Sequence, residues 1–148
     1  MEKEKDFFKN LSTLHAAMLI GQVLIVGFLY YLSYGDVAEE NKTFEYLVVL
    51  IGISGLGMGL FSSKQMIEKA KKQPHLSLKL HQYRVASILK WAMIEGPVLV
   101  ATIAHYVTGS KTSLIISFAL LAYFALSKPT KEKLVTELEL NRAEENQI

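Results

Sequence analysis

Glu95 is the residue most able to do chemistry, a single acid set deep in the apolar stretch of residues 84–109, RVASILKWAMIEGPVLVATIAHYVTG. Counted at 1.5 Å per residue from Arg84, it lies about 16 Å along a helix. That is roughly half of a hydrocarbon core about 30 Å thick. An acid near the centre of a crossing helix costs on the order of 3 kcal/mol to insert, and such groups face protein or water and carry function. Gly96 and Pro97 follow it directly. Proline has no N–H, so the Met93 carbonyl loses its helical partner and a kink is expected there. An acid beside a freed carbonyl suits a proton or a small cation.

Four apolar blocks must position that acid: residues 11–34, 44–62, 85–108 and 112–127. The first three approach or exceed the roughly 20 residues a crossing helix needs, and the fourth is short. The chain has 148 residues, 51% of them hydrophobic, with a mean hydropathy of +0.25. This predicts an all-α, multi-pass protein of four transmembrane helices forming one domain, with a connecting segment at 63–84 and a tail at 128–148. The first block is too long, and its flank too mixed in charge, for a cleaved signal peptide.

Thirteen lysines and arginines fall before the first block, between the second and third, and after the fourth; Lys42 and Lys111 alone fall in the other two connections. By the positive-inside rule both termini are cytoplasmic, and an integral protein of the bacterial plasma membrane is expected. Tyr30, Tyr31 and Tyr34 read as an outer interfacial belt. Asn41-Lys42-Thr43 is formally a glycosylation sequon. The tail carries Leu134 and Leu138 on one helical face but reads mainly as a solvated charged helix.

With both termini on one side, depth can be compared between spans. Counting eleven residues inward from each cytoplasmic end reaches Glu95, Gly52 (with Ser54 and Gly55 within a turn), Gln22 and Ser117. Gln22, Ser54 and Glu95 are therefore the expected ion-binding residues, in a polar layer that Ser117 could join. Arg84, Trp91, Thr102 and Tyr106 share the face of Glu95, and Lys90 and Trp91 are expected to snorkel to the interface. Gly52, Gly55 and Gly59 form a smooth face for close helix packing. Gln73-Pro74 marks the cytoplasmic turn.

The hairpin of residues 51–109 resembles the proteolipid c subunit family of rotary ATP synthases. The resemblance lies in the glycine run Gly52, Gly55, Gly57 and Gly59, the turn Lys72-Gln73-Pro74, and Glu95 shortly before Pro97. It implies that Glu95 alternately binds and releases a proton, and that Gln73-Pro74 meets a soluble partner. The first and fourth blocks have no counterpart in a two-helix proteolipid.

Two functions follow as expectations. One is proton binding or translocation through the intramembrane carboxylate, with H⁺ favoured over Na⁺ because span two offers no ligand beyond Ser54. The other is a non-catalytic membrane scaffold or accessory subunit with a structural glutamate. Partners are the lipid bilayer and either further copies of the chain or other members of a membrane complex. No enzyme is indicated: there is no nucleophile–base pair and no nucleotide motif. No cofactor is expected either. The basic residues are those that orientation alone requires, which argues against nucleic acid. His75 and His81 are spaced poorly for a metal, and the chain has no cysteine.

Overall fold

The computed structural model describes residues 6–33 and 42–148. They form six helices and, among the described residues, no strand: α1 Phe7–Ser33, α2 Lys42–Lys71, α3 Leu76–Thr108, α4 Lys111–Leu126, α5 Lys131–Leu138 and α6 Arg142–Glu145. α1, α2 and α3 are each long and apolar enough to cross a membrane. α4 qualifies only together with α5, which is turned 80° from it. Tyr34 and Asn41 lie outside the described residues.

Local signals set the helix ends. Gly109, at φ 67°, closes α3 in the left-handed conformation that an L side chain resists. Ser110 then opens α4, its hydroxyl accepting from the Ser113 N–H at 3.2 Å. Pro129 lies beyond the end of α4, and Thr130 caps α5. The 63–84 segment is almost all helix: α2 runs on to Lys71 and α3 starts at Leu76. Gln73 and Pro74 sit in the short turn between them, where the Gln73 N–H reaches the Ala70 carbonyl at 3.1 Å. α3 remains one assigned helix through Gly96 and Pro97.

α3 is the central helix, and its two flanks meet different neighbours. On one flank Lys90, Met93 and Pro97 approach the glycines of α2. A Cβ on Gly55 would collide with the Pro97 ring and come 2.8 Å from the Met93 carbonyl oxygen; on Gly59 it would lie 2.9 Å from Met93 Cβ. Gly52 faces α4 instead, at ordinary contact distance from Ile116 and Leu120. On the other flank Trp91 meets His15 of α1 and Phe124 of α4, and His105 meets Ser33 of α1. Trp91 is buried in this contact rather than snorkelling, because His15 and Phe124 enclose its ring.

Outside this core the long helices present Leu24, Phe28, Ile53, Phe61, Ile103 and Ile115 to the surroundings. An apolar exterior around an interior holding polar side chains suits lipid and is costly in water.

The solvated tail expected from sequence is not what forms. Leu134 and Leu138 are each 1% exposed and join the core cluster with Leu11, Leu76, Leu80 and Phe124. Ion pairs fasten the tail further: Lys79 to Glu144 at 2.7 Å and Lys71 to Glu139 at 2.8 Å. The docked helix marks one end of the bundle, called here the tail end.

Candidate functional site

α1 buries one stripe, Leu11, His15, Gln22, Val26 and Ser33, spaced by fours and sevens as a single helical face requires. Three of its five members are polar. α4 buries Ser113, Ser117, Leu120, Leu121 and Phe124 below its cap Ser110. α3 contributes Thr102 and His105. Together they form a polar seam running the length of the α1–α3–α4 interface.

At the tail end, His15 donates from Nε2 to the Phe124 carbonyl at 3.0 Å, stacks on the Phe124 ring and meets Trp91 edge-on. At mid-depth, Thr102 Oγ1 donates to the Val98 carbonyl at 2.7 Å, a bond within its own helix. Ser117 Oγ lies 2.6 Å from Thr102 Oγ1 and, with that proton already used, is the donor between them. Gln22 is fully buried, and neither its Nε2 nor its Oε1 has a hydrogen-bond partner among the described residues; the same holds for Ser113 Oγ. Leaving such groups unpaired costs about 1–3 kcal/mol each.

At the opposite end the network is tightest. His105 Nδ1 lies 2.9 Å from the Ser110 carbonyl, and its Nε2 lies 3.2 Å from Ser33 Oγ. Ser33 Oγ in turn donates to the Tyr30 carbonyl at 2.9 Å. Ser110 Oγ donates to Glu45 Oε1 at 2.5 Å. Glu45 sits in the first turn of α2 and against the cap of α4, so negative charge there complements two helix N-termini. The Tyr30 ring stacks on His105 with centroids 6.2 Å apart.

Donor counting at His105 leaves two arrangements. A carbonyl only accepts, so Nδ1 must carry a hydrogen. If Ser33 gives its one proton to Tyr30, Nε2 must also donate, and the ring is an imidazolium. If the ring is neutral, the Ser33 hydroxyl turns to Nε2. One hydroxyl rotation thus accommodates gain or loss of a proton, with the Glu45 carboxylate reached through one serine.

From His15 to Ser33 is 18 residues of helix, about 27 Å, close to the thickness of a hydrocarbon core. By the same rise Gln22, seven residues from His15, falls level with Ser117, seven residues from Phe124.

Among the residues expected to bind an ion, Gln22 lies in this seam and Ser54 does not: Ser54 is exposed on α2. Glu95 is half-buried and has no hydrogen bond or ion pair among the described residues. Two residues beyond Met93, it points about 200° round α3 from the α2 contact. The freed Met93 carbonyl, expected beside the acid, packs against Gly55 instead. The structure therefore does not gather Glu95, Ser54 and that carbonyl. Sequence reasoning passed over His105, Glu45, Ser33 and Ser110 as a group. The available signal was the spacing Ser110, Ser113, Ser117 on an otherwise apolar helix. No protein-family model, no curated protein and no solved structure matches this chain.

Proposed function

We propose that this chain is an integral membrane protein that binds protons, and passes them along the α1–α3–α4 seam, with His105 as the carrier group and Glu45 as its counter-charge. The observation that carries this reading is the placement of both His105 ring nitrogens within hydrogen-bond distance of oxygens, Nδ1 of the Ser110 carbonyl and Nε2 of the Ser33 hydroxyl, in a seam whose Gln22 amide has no partner among the described residues. The four crossings are α1, α2, α3 and α4. The tail end is cytoplasmic, as the distribution of lysines requires, and the membrane is the bacterial plasma membrane. The proton-handling expectation is kept, but its centre moves from Glu95 to the seam. A scaffold without ion traffic is the second reading, favoured by the Thr102–Ser117 bond, which locks α3 to α4 whether or not a proton moves.

Proton flux into vesicles loaded with a pH-sensitive dye tests the proposal. Reconstituted protein should speed equilibration after a pH jump well above protein-free vesicles. His105→Asn should abolish the gain, and Glu95→Gln should leave it. Loss in Glu95→Gln with His105→Asn unaffected would return the function to the carboxylate. No flux from the unaltered protein would favour the scaffold.

A further inference from the structure

At the tail end, on the α2 flank of α3, two cavities of about 370 and 100 Å³ adjoin and share Ser63, Ile67, Lys90 and Glu137 as walls. They form a crevice between α2, α3 and the start of the tail, whose smaller part reaches Trp91 at the tail end of the seam. Lys64, Lys90, Lys128 and Lys133 line it, and none makes an ion pair among the described residues. Lys71 also borders it but is held by Glu68 and Glu139, at 2.9 and 2.8 Å. Glu137 is the acid set among the unpaired lysines. Positive charge therefore exceeds negative within the crevice, and Ser63, Ser87 and Ser127 add hydroxyl groups to its walls.

The crevice is also amphipathic. Leu60 forms part of the larger cavity, and beside it Leu60 and Phe61 are 45% and 66% exposed on the outer face of α2. Lysines and serines thus meet an apolar surface at the boundary where the long helices leave the bilayer. A compact anion carrying acyl chains matches both halves, whereas a free anion uses only one. A basic recess between helices on the cytoplasmic side is the physical setting in which anionic headgroups are held, each nearby lysine strengthening the attraction several-fold.

We infer that this crevice binds the phosphate headgroup of an anionic glycerophospholipid, with its acyl chains lying over Leu60 and Phe61. The inference shares with the proton proposal only the placement in a bilayer, and does not depend on His105.

Native mass spectrometry of the full chain released from mixed micelles tests it, with phosphatidylglycerol, cardiolipin and phosphatidylcholine as probes. The expected result is retention of the two anionic lipids over phosphatidylcholine. Retention should be roughly 100-fold weaker in Lys64→Gln/Lys90→Gln/Lys133→Gln. The control Lys42→Gln/Lys111→Gln, at the starts of α2 and α4 and away from the crevice, should bind as the unaltered chain does. The corresponding Lys→Arg triple variant should keep binding, which separates loss of charge from loss of fold. Equal retention of all three lipids would overturn the inference, as would an equal drop in the control. Displacement by millimolar inorganic phosphate would assign the crevice to a soluble anion and overturn the lipid assignment.

Discussion

Gln22 is a fully buried amide without a partner among the described residues, so its presence lowers stability unless something else uses it. Gln22→Leu is expected to raise stability by about 1–2 kcal/mol, since an apolar group removes the unsatisfied donor and acceptor. It should also remove proton flux. A thermal melt in detergent and the vesicle assay check the two halves separately. Gly55 gives the opposite case. Gly55→Ala forces the Pro97 ring and the Met93 carbonyl away from α2 and should cost about 1–3 kcal/mol. Gly52→Ala meets only ordinary contacts with Ile116 and Leu120, so the same melt should show little change or a small gain from helix propensity.

The tail offers a pH test at the level of elements. Glu144 caps α6 and pairs with Lys79 on α3, which with the Asn141 N–H holds its carboxyl below the usual glutamate range. A depressed pKa contributes stability that is complete above the unfolded value and is lost as pH falls through the folded one. α6 docking should therefore be steady at neutral pH and loosen only below about pH 4. Hydrogen exchange of residues 140–148 checks this, and Glu144→Gln should exchange faster at neutral pH with little further change on acidification. Leu134→Ala should cost about 2–5 kcal/mol of α5 docking, visible as rapid proteolysis of the tail.

The long helices were legible because apolar blocks are local features, although α2 runs past its block to Lys71 and α3 begins before its own, at Leu76. The docking of α5 was not. Two leucines four residues apart show that a face exists, but not that Leu11, Leu76 and Phe124 wait to cover it. Likewise the depth of Gln22 and Ser117 could be counted along single helices, whereas the side of α3 each neighbour takes could not. That is why Ser54 was grouped with Glu95, although α2 packs on the opposite flank. Glu45 and His105 sit 60 residues apart, and no spacing rule joins them.

For the molecule as a whole, the proposed topology has residues 72–75 and the tail on one side of the membrane and the start of α2 on the other, a placement that can be tested directly. The chain has no cysteine, so His75→Cys, Gln147→Cys and Lys42→Cys each introduce a single reporter. In sealed inverted vesicles a membrane-impermeant thiol reagent should label the first two and spare the third. Across that same thickness the seam runs from His15 to His105, and its use for protons rests on what His105 carries. Ring ¹⁵N spectra of His105 in bilayers test this most directly. The prediction is hydrogen bonding at both ring nitrogens, with Ser33→Ala altering the Nε2 signal and leaving Nδ1 on the Ser110 carbonyl. A ring with one nitrogen free of any hydrogen bond, or an Nε2 signal unchanged in Ser33→Ala, would contradict it.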